Sequence, residues 1–216
     1  MIVKNFELNK NIIDKHIFFL LYGKNEGFQN EIIQSQFLKN YQGQINKYDE
    51  IEFLKNNEII ITELLSKSFF ESKKILIVSR TTDKITKVIE EIEERDLTDV
   101  KIIFKSGILE KRSKLRNYFE KKSNLITIPF YEDDVRSLTS LIITFINKHK
   151  IKLSRESINL LVNRANGERE NLRIELDKIL YYSKSNNKIE FEHIQKLTNL
   201  AENYSVGELA DSCLNR

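Results

Sequence analysis

The run Phe19-Leu20-Leu21-Tyr22-Gly23-Lys24-Asn25-Glu26-Gly27-Phe28 sets an apolar stretch of strand length against a glycine turn and the start of a helical pattern. A nucleotide-binding fold carries its phosphate cradle at such a junction, where backbone N–H groups converge on an anion. The cradle needs GxxxxGK[ST], with a Lys to meet the phosphates and a hydroxyl to hold magnesium. Here Gly27 is followed by Phe28 and Gln29. The architecture is expected without its loop chemistry, so no cofactor and no ATP are expected at Gly23–Phe28. A degenerate module that still holds ATP there is the competing reading.

Other side chains offer less. Asp133-Asp134 could bind magnesium in a nucleic-acid enzyme, or cap a helix after Pro129. Lys111, Arg112, Lys114, Arg116, Lys121 and Lys122 gather around one short segment. They read either as a contact for DNA phosphates or a partner, or as a solvated helix face. Glu90, Glu91, Glu93 and Glu94 read as a solvated face. Arg169 and Arg173 read as surface or interface residues. His16, His149 and His193 fit no metal spacing, and Cys213 is the only cysteine, which excludes an internal disulfide and a cysteine-based zinc site. No Ser-His-Asp or Cys-His set can be assembled, so no catalytic residue and no metal site are expected.

The chain has 216 residues, 40% hydrophobic and 31% charged, with a net charge of +3. That is an ordinary soluble composition, and the charge is too weak to diagnose nucleic-acid binding. No apolar run approaches the roughly 20 residues of a membrane span, and the N-terminus lacks signal-peptide character. A cytoplasmic location is expected.

The elements that must position these residues alternate. Strands are expected over 17–22, 44–48, 74–79, 100–104 and 125–128. Helices are expected over 27–38, 58–70, 113–122, and from an Asp83 cap to about Arg95. That alternation predicts an α/β fold, a three-layer sandwich around a parallel sheet. Pro129 is placed just after the last strand, with the domain boundary near Phe130-Tyr131. Helical periodicity then takes over at 133–148, from Ser154, at 170–182 and from Glu190, which predicts a small all-α lid. Residues 205–216 begin another amphipathic helix whose stripe, Val206, Leu209, Ala210 and Leu214, has nothing left to cover it. The expected organisation is 1–130, 131–204, and 205–216 as the start of a truncated helical domain.

An α/β domain with a helical lid is the AAA+ layout, and five segments are more specific. They are FLLYGKNEGF at 19–28, SFFESKKILIV at 68–78, LEKRSKLRNYFEKK at 109–122, ITIPFYEDD at 126–134 and GERENLRIELDKILYYS at 167–183. In this order the chain resembles the delta-subunit family of the bacterial DNA polymerase III clamp loader. The resemblance implies a non-catalytic subunit that binds and opens the beta sliding clamp in DNA replication. It implies gamma/tau and delta-prime as partner subunits that hydrolyse ATP, primer-template DNA reached through the assembled loader, and a C-terminal collar beyond residue 204. The family's clamp-binding element is a helix end with a paired hydrophobic-aromatic tip before a strand. It matches Phe69-Phe70, supported by Leu65, Ser68 and Lys73. The family tip is commonly Leu-Phe, so Phe69 enlarges the first position. Neighbours on a helix point about 100° apart, so two adjacent aromatics at a helix end cannot both enter one core.

Overall fold

The computed structural model describes residues 1–66, 73–95, 97–186 and 188–198. The chain divides into two compact units, Met1–Tyr131 and Glu132–Arg216.

The first unit is built on five parallel strands, β1 (Phe18–Gly23), β2 (Gln44–Asp49), β3 (Lys74–Ser79), β4 (Val100–Ser106) and β5 (Leu125–Phe130), in spatial order β2-β3-β4-β1-β5. Strand side chains alternate between faces, and here both faces are covered. Phe18, Leu20, Leu76, Val78, Ile102 and Phe104 enter one core. Phe19, Leu21, Ile75, Ile77, Ile103 and Ile128 enter the other. Burial on both sides is why β1, β3, β4 and β5 read as apolar runs, whereas β2, at the sheet edge, is only partly covered.

Helices α1 (Lys10–Lys15) and α2 (Glu26–Ile32) supply Ile13 and Ile32 to the second core. Helices α3 (Glu50–Lys55), α4 (Asn57–Leu65), α5 (Thr86–Glu93) and α6 (Lys114–Lys121) close the first, through Phe53, Ile61, Ile89 and Phe119. The three-layer α/β class expected from the alternation is the observed one.

Several details differ from the sequence reading. The helix expected over 27–38 begins at Glu26 and passes into a π-helical turn at Ile33–Phe37. The helix expected over 58–70 is observed from Asn57 to Leu65, Ser66 is its C-cap, and the span from Lys67 on is outside the described residues. Asp83 does not cap its own helix. A 3-10 turn capped by Thr82 occupies Asp83–Ile85, and the Asp83 carboxylate accepts from Ser113 Oγ at 2.6 Å and Leu115 N at 3.0 Å. It thus helps Ser113 cap α6. Pro129 lies inside β5 rather than after it. This is an edge strand, and Thr127, two residues before, directs its backbone outward to Met1 and Val3. Position 129 faces outward as well, so the missing N–H removes no bond from the β1–β5 ladder.

The second unit holds α7 (Val135–His149), α8 (Arg155–Ala165), α9 (Arg169–Ser185) and α10 (Phe191–Leu197) around Leu138, Ile142, Leu161, Leu172, Leu176, Ile179 and Ile194. Ser154 caps α8 as expected, and Gly167, at φ +81°, lies in the turn before α9. Residues 199–216, including the amphipathic stretch from Ser205, are outside the described residues.

Two outcomes are expected. Gly23 sits at φ +132°, and a Cβ there would lie 1.9 Å from the Phe130 carbonyl oxygen. Gly23→Ala therefore destabilises the first unit by more than about 1 kcal/mol in urea denaturation. Glu93 is the second case. Burial opposes its ionisation, but hydrogen bonds from Lys122, Tyr118 and Asn124 outweigh that and hold its carboxyl below the ordinary 4.5. A lowered folded value means stability that is complete above that ordinary value and lost as pH falls through the folded one. Urea midpoints measured from pH 7 to pH 3 should show this loss, and Glu93→Gln should lack that part of it.

Candidate functional site

Ligands of open parallel sheets bind beyond the carboxyl ends of the strands where the strand order reverses. In this sheet that place is the crevice between β1 and β4. A cavity of about 290 Å³ is found there, lined by Gly23, Lys24, Glu26, Gln29, Arg80, Lys105, Ser106, Gly107 and Ile108. Several donors at its rim are spent within the chain. Asn25 caps α2 by accepting from Phe28 N at 3.0 Å, and its own amide donates to Tyr131 O. The Gln29 side chain is buried and donates to Gly23 O and Ser106 O, both at 3.1 Å, which staples β1 to β4 across the crevice. The Gly23 N–H goes to Gly107 O. Lys105 is spanned by Glu26 at 3.1 Å and Asn30 at 2.6 Å. Glu26 thus places a carboxylate where a phosphate would need a cation. Gln29 was not singled out by sequence; its position directly after the loop was the one signal available.

The second candidate lies between α4 and β3. Leu65 is half-buried at the helix end, Ser66 is the C-cap, and Lys73 is exposed. Ser68, Phe69 and Phe70 lie outside the described residues. The flanks are firmly held. Lys74 is buried, and its ammonium donates to Glu63 O at 2.5 Å and Ser66 O at 2.6 Å, with Ser66 Oγ at 3.3 Å. Lys73 O accepts from Gln44 N at 3.1 Å. A Cβ on Gly43 would sit 2.2 Å from that same oxygen, so only glycine allows the approach.

The basic segment splits in two. Arg116 donates to Glu120 at 2.7 Å and Leu109 O at 3.1 Å and lies over the Tyr22 ring at 5.1 Å. Lys122 is held by Glu93 and Tyr118. Lys111, Arg112, Lys114 and Lys121 are exposed, with Arg112 paired to Glu110 at 2.7 Å.

The two acidic residues after Pro129 also part company. Asp134 caps α7, accepting from Ser137 N at 2.7 Å. Asp133 takes both Nε and Nη2 of Arg169 at 2.7 Å, and both side chains of the pair are at least nine-tenths buried. Arg169 is therefore an internal residue of the second unit, where a surface or interface residue was expected, because its fork meets a buried carboxylate. Arg173 is exposed. Among the described residues, no group of three or more His, Cys, Asp or Glu could hold a metal ion, and no helix is long and apolar enough to cross a membrane.

No family model matches the chain. A curated relative, the probable DNA polymerase III subunit delta of Rickettsia prowazekii (strain Madrid E), is 22% identical over 176 residues, 81% of this chain and 53% of the relative. The chain is similar to a delta subunit. Among solved structures, the Bacillus subtilis DNA clamp loader delta protein (YqeN) matches with a TM-score of 0.54 at 15% identity, over 84% of this chain and 58% of that one. The Thermotoga maritima RuvB Holliday junction branch migration motor matches with a TM-score of 0.54 at 11% identity, over 89% of this chain and 64% of that one. The fold is thus that of AAA+-like proteins. The delta resemblance read from the five segments has a counterpart both in a curated sequence and in a solved fold. The chain spans about half the length of the curated relative.

Removing one partner of a buried ion pair leaves an uncompensated charge, which costs roughly 3–5 kcal/mol. Asp133→Ala should lower the urea stability of the second unit by that order, whereas Asp134→Ala should cost about 1 kcal/mol, the loss of a cap.

Proposed function

We propose that this chain is the clamp-contacting part of a DNA polymerase III delta subunit, which binds and opens the beta sliding clamp so that it can be loaded on primed DNA. The observation that carries this reading is the crevice of a nucleotide-type sheet at which Gln29 and the Gly23 N–H donate within the chain and Lys105 meets Glu26, in a sequence similar to a delta subunit. A fold that offers phosphates little at the crevice is suited to work by contact, with ATP hydrolysed by gamma/tau and delta-prime partners. The chain would then have no catalytic activity, bind no cofactor and act in the cytoplasm.

Phe69 and Phe70 are the proposed wedge, with Leu65, Ser68 and Lys73 as support. Opening a ring by binding it requires higher affinity for the open interface than for the closed one, since equal affinity shifts nothing. Of the cations proposed to meet primer-template DNA or a partner subunit, Lys111, Arg112 and Lys114 are exposed, while Arg116 is engaged by Glu120.

Surface plasmon resonance against the cognate clamp tests the reading. The native chain should bind, and the double variant Phe69→Ala/Phe70→Ala should lose about 2 kcal/mol or more, as paired aromatic anchors do. A folded chain that does not bind contradicts the proposal. Isothermal titration with Mg-ATP should give no saturable heat. Saturable binding would favour the degenerate nucleotide module instead.

A further inference from the structure

Three turns enter the sheet side by side at the amino ends of its strands, the end opposite the crevice. β1 is flanked by β4 and β5, so the turns from α1, α5 and α6 that lead into these strands meet below it. A cavity of about 700 Å³ lies there, wholly within the first unit. That volume is in the range of roughly 300–1,000 Å³ typical of small-molecule sites. Its lining is divided by chemistry. Ile12, Ile17, Phe18 and Leu97 give it an apolar wall. Lys15, at the end of α1, and Arg95, just after α5, also line it. Both are exposed, and among the described residues neither side chain has a hydrogen-bond or ion-pair partner. His16 donates Nδ1–H to Ile12 O at 2.8 Å, which leaves Nε2 for a ligand. Among the described lining residues Glu93 is the one acid, and its carboxylate is already taken by Tyr118, Lys122 and Asn124.

We infer that this cavity binds a small organic anion, an apolar body carrying one carboxylate or phosphate. Lys15 and Arg95 meet the charged group, and the body lies against Ile12, Ile17, Phe18 and Leu97. Exposed lysines are common in this chain; the apolar wall beside two uncommitted cations is what sets this pair apart. A cleft with one sign of charge and low-dielectric walls concentrates its field on a ligand of the other sign. A guanidinium adds paired N–H donors that match a carboxylate or phosphate. The site is separate from the crevice between β1 and β4, and the inference does not depend on the clamp-binding reading.

The probes are naphthoate and naphthyl phosphate, with naphthol as the uncharged body and inorganic phosphate as the bare anion. Each is titrated into the full chain and followed by amide chemical shifts in NMR spectra. At least one naphthyl anion should saturate a single site, with shifts centred on residues 11–18, 93–95 and 123–124, and the tighter of the two identifies the preferred charged group. The double variant Lys15→Ala/Arg95→Ala should weaken that anion about tenfold, the scale of two exposed ion pairs, and leave the affinity for naphthol unchanged. Both side chains are exposed and make no bond among the described residues, so the variant should keep the native urea midpoint. Four results would each overturn the inference. They are no saturable binding of either naphthyl anion, shifts centred elsewhere, a double variant that binds like the native chain, and inorganic phosphate binding as tightly as the naphthyl anions.

Discussion

The first unit depends on one constraint, a parallel sheet that must be buried on both faces. Parallel strands cannot be joined by tight turns, so each connection crosses a face and brings a helix with it. The crossings between β1 and β4 lay helices on both sides, and the sheet acquires two cores from one set of strands. Everything near the crevice follows from how tightly β1 is held between β4 and β5. The Phe130 carbonyl approaches Gly23 so closely that no side chain fits. The turn glycine, which in a phosphate cradle lets the backbone reach a ligand, here lets it reach another strand.

Cations in this protein serve repeatedly as ends for helices. Lys74 closes α4, and Lys101 donates to Asp14 O at 2.9 Å and His16 O at 2.7 Å at the end of α1. In the second unit Arg164 reaches Gln195 O and Thr198 O at the end of α10. Each spans a different pair of elements, so the charge links tertiary structure while it satisfies carbonyls that the helix leaves open. In a composition rich in lysine, such residues are easily mistaken for solvated surface.

The sheet was legible in the sequence because doubly buried strands are the plainest apolar runs a chain can carry. KILIVS and VKIIF could hardly be elsewhere than in a core. Helices α1 and α3 were not read, since six residues with one or two buried positions give too little periodicity. The absence of GxxxxGK[ST] was legible at Phe28 and Gln29, yet the bond from Gln29 to Ser106 was not, because it joins α2 to β4 across 77 positions of sequence. Asp83 shows the same limit. Its type announced a cap, but the capped helix begins thirty residues later, and only the folded chain brings the two together.

The position of β1 in the sheet bears on how the chain is made. Phe18 pairs with both Ile102 and Leu125. β4 is complete only at Ser106 and β5 only at Phe130. At about 5–20 residues per second, β1 waits roughly 5–20 s for its second neighbour. Until β4 is made Phe18 to Tyr22 offers two bare edges, and one of them stays bare until β5 follows.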